Sequence, residues 1–117
     1  AVINLGLIVG AIDLGAGDDS YAAQGGSLQG ALIMGAGDDL VSLAKGFGTL
    51  VIADFETGAS GIDEILLSGF GIDSLDELLG QASQVDGDTR IDLGGGDILI
   101  LENVTLASLS AGDFVFG

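Results

Sequence analysis

The chain has 117 residues, the length of one ordinary domain, and 48% of them are hydrophobic, enough for a sizeable core. Its 18 acidic and 2 basic residues give a net charge of -16, which repels nucleic acid and anionic membranes and attracts cations. Without Cys or His, it lacks disulfides, thiolate sites and the usual zinc ligand, so its metal donors are carboxylate and carbonyl oxygens, as calcium prefers.

The chain opens on AVINLGLIVGAI, an apolar stretch that Asn4 interrupts. This stretch is too short to span a bilayer, and no basic region precedes it as in a signal peptide. We therefore expect no membrane insertion. Since the sequence also lacks an initiator Met, we interpret it as part of a longer protein.

A repeat of twenty residues follows. LGAGDDSYAAQGGSLQGALI at 14–33 aligns with MGAGDDLVSLAKGFGTLVIA at 34–53, so that the two GAGDD turns coincide. Short apolar stretches between glycine turns predict a parallel β-solenoid, in which each coil of strand, turn, strand and turn stacks on the one before. We expect an interior formed by Leu14, Tyr21, Leu32, Met34, Val41, Leu43 and Ile52.

From about residue 54 the repeat is lost. A non-repetitive segment after a solenoid is typical of a cap that hides the open edge of the last coil. We therefore divide the chain into solenoid repeats at 1–53 and a C-terminal cap at 54–117, packed together as one domain. The predicted class is all-β, with a β-solenoid of β-roll or β-helix type.

The cap has its own predicted elements. IADFETGASGIDEILLSGFGI indicates strand, turn and strand, and SLDELLGQA indicates a short helix with Ser74 as N-cap and Glu77 three residues on. TRIDLGGGDILIL predicts a hairpin with strands near 89–93 and 98–101 around a glycine-rich turn. TLASL is expected to form one helical turn, and DFVF the last strand.

The GAGDD turns place Asp18 and Asp19 one repeat before Asp38 and Asp39. Residues one coil apart lie about 4.8 Å apart in the stacking direction, so these carboxylates repel one another unless a cation lies between them. Tight glycine turns also expose carbonyl oxygens, and calcium accepts about six to eight oxygens. We therefore predict calcium sites in one column at one edge, because the other turns, QGGS and KGFG, carry no acid. The turn glycines included in this prediction are Gly15, Gly17, Gly35 and Gly37.

The last acidic turn has no third copy and needs a partner from the cap. Asp54, Glu56 and Asp63 are the candidates, and we expect Asp54 and Asp63 to be the ligands. The alternative is that Gly and Asp merely suit solvated turns. The strict repeat and the net charge favour calcium.

LGAGDDSY and MGAGDDLV resemble degenerate copies of the RTX, or haemolysin-type, calcium-binding nonapeptide G-G-x-G-x-D-x-U-x. Leu14 and Met34 stand at the first glycine, and Asp19 and Asp39 stand at the ligand Asp. Residues 51–116 resemble the C-terminal region common in RTX proteins. This chain departs from the RTX pattern in two ways. Its coil has twenty residues rather than the length of two nonapeptides, about 18 residues, and its acidic turns lie at one edge only. We therefore expect one row of ions.

The resemblance implies a calcium-binding structural module of a protein exported from Gram-negative bacteria by the type I secretion apparatus. It implies a chain that stays unfolded in the calcium-poor cytosol and folds outside the cell or at its surface. It also implies an uncleaved export signal near the C-terminus. The segment Asp113-Phe114-Val115-Phe116 resembles the terminal motif of such signals.

Two other functions remain open from the sequence. The solenoid could stack with copies of itself into a calcium-dependent surface layer, fibre or adhesin module. It could also be part of a polysaccharide-active β-helix enzyme whose acids form a catalytic pair. We assign no catalytic residue to this chain and expect any enzymatic activity in an upstream domain of the parent protein.

Overall fold

The computed structural model describes residues 2–4, 6–23, 26–35, 37–55, 63–110 and 113–116. Within these ranges the chain is mostly β-strand, with one short helix, α1, at Leu75–Leu79 and a 3-10 turn at Leu106–Ser108. The strands are β1 Val2–Asn4, β2 Leu7–Val9, β3 Ile12–Asp13, β4 Ser20–Ala23, β5 Ser27–Gln29, β6 Ala31–Ile33, β7 Asp39–Ala44, β8 Thr49–Ile52, β9 Asp63–Ser68, β10 Ala82–Val85, β11 Asp88–Gly94, β12 Asp97–Leu101 and β13 Phe114–Phe116.

The predicted parallel β-solenoid is confirmed. Strands of successive coils pair in parallel at an offset of twenty residues, as in Ser20 with Leu40 and Ile12 with Leu32, except that β1 pairs with β4 at an offset of 19. The first coil holds β1, β2 and β3, and the second holds β4, β5 and β6. Each coil therefore lies directly on the previous one, which is the arrangement that a constant repeat requires.

Each of the first two coils has three strands where the sequence indicated two. Gly10 and Gly30, with φ of 110° and 152°, separate β2 from β3 and β5 from β6. An added Cβ at Gly30 would collide with the main chain of Gly10. Glycine is therefore needed at this corner both for its backbone conformation and for the close approach of the coils.

Stacking continues from the repeats into the cap. The first sheet has the strand order β1-β4-β7-β9-β13, and the second has β10-β11-β12-β8-β6-β3. Beyond β7 the parallel offset changes from twenty to 24 residues, so that Asp39 pairs with Asp63. In the second sheet β12 adds in parallel to β8, and β11 and β10 follow in antiparallel order.

The predicted strands and the short helix of the cap are present with small shifts of their ends, whereas the turn predicted within residues 56–62 lies outside the described residues. Strand β10 was not predicted, and it begins at Ala82, the last residue of the stretch expected to be helical. The side chain of Ser74 accepts a hydrogen bond from the Glu77 amide at 3.3 Å, which confirms the N-cap of α1. The predicted hairpin is formed by β11 and β12. The helical turn in TLASL and the strand in DFVF are also found.

Six of the seven predicted interior residues are fully buried: Tyr21, Leu32, Met34, Val41, Leu43 and Ile52. Leu14 is only partly buried, because it belongs to the first coil, at the open end of the stack. The Tyr21 hydroxyl accepts a hydrogen bond from Asn4 Nδ2 at 2.9 Å, which satisfies both polar groups inside the core. In the part of the chain that the structure describes, no helix has the length and apolarity needed to cross a membrane.

Candidate metal centre

The two GAGDD turns lie directly on one another. Gly15 and Gly35 have φ of 81° and 82°, and Gly17 and Gly37 have φ of 104° and 105°. An added Cβ at Gly35 or Gly37 would collide with the carbonyl oxygen of Gly15 or Gly17. At these glycines the turns therefore share one backbone conformation, and their contact is main chain against main chain.

Three aspartates lie at this edge, where strands of the first sheet begin. Asp19 precedes β4, while Asp39 and Asp63 begin β7 and β9. Asp39 Oδ1 accepts the Asp19 amide at 2.9 Å, and Asp63 Oδ1 accepts the Asp39 amide at 3.2 Å. The carboxylates of Asp39 and Asp63 thus each bind the coil before their own, and these bonds connect the three aspartates in one row.

The other acidic residues that the sequence predicted as ligands lie at the same edge of the solenoid. Asp18 Oδ1 accepts the Asp38 amide at 2.9 Å. Asp54 accepts the amides of Met34 and Gly35, one with each carboxylate oxygen, at 2.7 and 2.9 Å. Glu56 lies outside the described residues. We call the set Asp18, Asp19, Asp38, Asp39, Asp54 and Asp63 the acidic column.

Two oxygens of the acidic column are buried without a donor. They are Asp19 Oδ2 and Asp39 Oδ2, neither of which has a hydrogen-bond partner. The Asp39 side chain is 2% exposed, so bulk solvent does not reach this oxygen. An ionised carboxylate left in this state is costly, because a buried charge needs a compensating charge or donor.

The surroundings of Asp39 also disfavour its ionised form. Burial raises the pKa of Asp39, and the negative charges of Asp19, Asp18 and Asp54 raise it further. The hydrogen bond from the Asp19 amide lowers the pKa of Asp39 and offsets part of this effect. A cation beside the carboxylate would reverse the balance, because it favours the ionised form.

These donors fit a hard cation only if the main chain contributes. Among the described residues, no three acidic side chains come together as a group that could hold a metal. The unpartnered oxygens of Asp19 and Asp39 and the turn carbonyls are nevertheless all oxygen donors, the kind that calcium takes from carboxylates and backbone together. The residues present therefore fit calcium better than a metal that requires nitrogen or sulfur.

The opposite edge of the solenoid contains a buried carboxylate that the repeat did not predict. Asp97 accepts the amides of Gly46 and Gly48 at 3.0 and 2.9 Å, one with each oxygen, and is 4% exposed. It therefore closes the KGFG turn from the cap. In the sequence Asp97 stands out only as an acid that follows three glycines. The amides that it binds lie 49 to 51 residues earlier in the chain.

No known family profile matches the chain, and no curated protein matches its sequence. Among solved structures, the fold is similar to that of the extracellular lipase LipA from Serratia marcescens, with a TM-score of 0.62 and 19% sequence identity. The match covers 92% of this chain and 21% of the lipase chain, so this chain spans about a fifth of the length of that protein. The likeness supports the β-roll fold over nearly the whole chain.

Proposed function

We propose that this chain is a calcium-binding structural module of a secreted RTX-type protein, which folds when it meets calcium outside the cell. The observation that carries the proposal is the pair of buried, unpartnered oxygens on Asp19 and Asp39, held one coil apart. The carbonyls of the stacked glycine turns would complete the coordination. When bound, calcium would supply the positive charge that these carboxylates lack.

The charge of the chain makes such binding a switch for folding. A net charge of -16 opposes the compact state, and each calcium bound to the folded form offsets part of that cost. A site at 100 times its dissociation constant stabilises the fold by about 2.7 kcal/mol. Since domain stability is about 5–15 kcal/mol in total, two or three such sites are enough to decide whether the chain folds.

We also propose export by the type I secretion apparatus. Support comes from the resemblance of the last residues to the terminal motif of such signals and from the extracellular location of the lipase with a similar fold. In the folded chain Asp113 and Phe114 are buried and Phe114 pairs with Ile65. The apparatus would therefore have to recognise this segment before the chain folds.

The experiment is a calcium titration of protein first stripped with EDTA, followed by circular dichroism and calorimetry. We expect cooperative gain of β-sheet signal with calcium and little response to magnesium, which holds its hydration shell more tightly. The double variant Asp19→Asn/Asp39→Asn should lose most of this response. The matched control Asp73→Asn/Asp86→Asn removes the same charge at exposed positions outside the acidic column and should retain it. A spectrum unchanged by calcium would contradict the proposal.

A further inference from the structure

The first coil is less buried than the coil that stacks on it. Four residues that face the interior in the second coil are between 0% and 4% exposed, while their counterparts in the first coil are only partly buried. Asn4, which pairs with Ala23, is the one buried counterpart among the described residues that pair in this way. The pairs, first coil then second, are Val2 and Tyr21, Ile8 and Leu28, Ile12 and Leu32, and Leu14 and Met34. The apolar core is therefore open at this end.

Every strand of the first coil is also an edge strand. β1 and β3 end the first and second sheets, and β2 ends the two-stranded sheet that it forms with β5. Proteins usually protect such edges with proline, lysine or a covering segment. Here the sequence has no proline, and the exposed side of β1 carries Ile3, which is 65% exposed.

Gly6 provides a separate observation. Its counterpart Gly26 does not have a left-handed φ, but an added Cβ there would lie 2.6 Å from the carbonyl oxygens of Asn4 and Gly6. Glycine is therefore needed at 26 because the first coil packs against it. Gly6 also lacks a left-handed φ, and an added Cβ would meet nothing within 4 Å. Among the described residues, no contact requires glycine at position 6.

We propose that the open face of the first coil binds one more coil of the same kind, which runs parallel to it, in register, and precedes residue 1 in the same polypeptide. This coil would continue the interface between the first two coils and would place two carbonyl oxygens against Gly6, as the first coil does against Gly26. A second copy is a poorer occupant, because two chains of net charge -16 repel each other.

The test adds the missing coil to the intact chain. Because Val2 pairs with Tyr21, a copy of residues 20–39 fused ahead of residue 1 continues the register. We expect this extension to raise Tm in calcium by about 4 °C or more. An extension of the same twenty residues in scrambled order should leave Tm unchanged.

Substitution of the two glycines gives a sharper measurement. In the 117-residue chain, Gly6→Ala should leave Tm unchanged or raise it slightly, because alanine restricts the unfolded chain. In the extended chain the same substitution should lower Tm by about 4 °C or more, and Gly26→Ala should do so in both chains. The effect of Gly6→Ala depends on the stacking of coils and not on a bound ion. It therefore tests this inference even if the proposed calcium binding fails.

Three outcomes would overturn the inference. The first is an extension that raises Tm no more than its scrambled control. The second is an equal effect of Gly6→Ala with and without the extension. The third is dimerisation of the 117-residue chain in sedimentation experiments that Gly6→Ala abolishes, because a second copy would then be the occupant of this face.

Discussion

Asp97 and Asp39 are buried carboxylates that accept main-chain amides at opposite edges of the solenoid. Both oxygens of Asp97 have an amide donor, from Gly46 and Gly48. Asp39 has one donor and a second oxygen that is buried with none. A carboxylate that the protein satisfies by itself has a structural role, whereas one left incomplete needs something from outside the chain. Asp97 and Asp39 therefore separate fold stability from ion binding. Asp54 lies at the acidic edge, but both of its oxygens accept amides, so in this respect it resembles Asp97.

The largest effect is expected at the self-sufficient edge. Asp97→Asn replaces one accepting oxygen by an amide donor that faces a main-chain N–H, and it removes the charge that strengthens the other bond. We expect a loss of about 3 kcal/mol in the free energy of unfolding, equal in calcium and in EDTA. Urea denaturation measures it under both conditions, with Asp73→Asn as the matched control. Every sample contains sucrose, an osmolyte that favours the compact state, so that the calcium-free chain is folded at the start of the titration. A loss confined to calcium would instead identify Asp97 as a metal ligand.

Asp39→Asn should behave in the opposite way. The amide oxygen can still accept the Asp19 amide, but the charge that attracts a cation is gone. In calcium the variant should lose about 2.7 kcal/mol of stability, the contribution of one site at 100 times its dissociation constant. In EDTA its stability should be unchanged or higher, because an unfavourable buried charge has been removed.

The two Asn variants together test the comparison between the edges. Asp97→Asn should shift the urea midpoint under both conditions, and Asp39→Asn should shift it downward only in calcium. If Asp39→Asn destabilised the EDTA-treated protein as much as the calcium-loaded one, the acidic column would be a structural element like Asp97. The proposal of a metal centre would then fail.

A glycine pair tests how closely the acidic turns stack. Gly15→Ala and Gly35→Ala both place an L-residue at positive φ, which costs about 1–2 kcal/mol. Only Gly35 would bring its Cβ against the main chain of the neighbouring coil. Gly35→Ala should therefore cost about 2 kcal/mol more than Gly15→Ala, and thermal denaturation in calcium measures the difference. Equal losses would mean that the turns do not touch.

The stacked edge could be predicted from the sequence because it repeats. The GAGDD turn recurs once, after twenty residues, and the same offset appears in the pairing of β4 with β7. The repeat alone therefore predicts that Asp19 and Asp39 lie together. The alternation of apolar residues identified Val41 and Leu43 as interior in the same way.

The rest depends on contacts that no repeat encodes. Asp97 reaches Gly46 and Gly48 only because β12 adds in parallel to β8, which is a pairing across 49 residues. The sequence likewise showed that the repeat ends near Asp54, but it did not show that β9 continues the first sheet at an offset of 24. Pairings between distant segments are set by tertiary packing, so local patterns do not reveal them.

The smallest expected effect is the pH dependence of the calcium-free protein. The pKa of Asp39 is raised in the folded state, so between its unfolded and folded pKa values the folded protein holds a proton that the unfolded chain has released. This contribution to stability is fully present below the unfolded pKa and is lost as the pH rises through the folded pKa. The slope from one group is at most about 1.4 kcal/mol per pH unit. Urea denaturation in EDTA, with sucrose present to keep the calcium-free chain folded, measures it between pH 4 and pH 7, a range of about 3 units.

The comparison with Asp39→Asn assigns that slope to one residue. The variant has no carboxyl to titrate at this position, so its stability should fall less steeply than that of the wild type as the pH rises in EDTA. In calcium the wild type should become more stable with rising pH, because protons and the metal compete for the same oxygens. Parallel curves for wild type and variant in EDTA would mean that the raised pKa of Asp39 contributes nothing to stability. The unpartnered oxygen would then need an explanation other than an uncompensated charge.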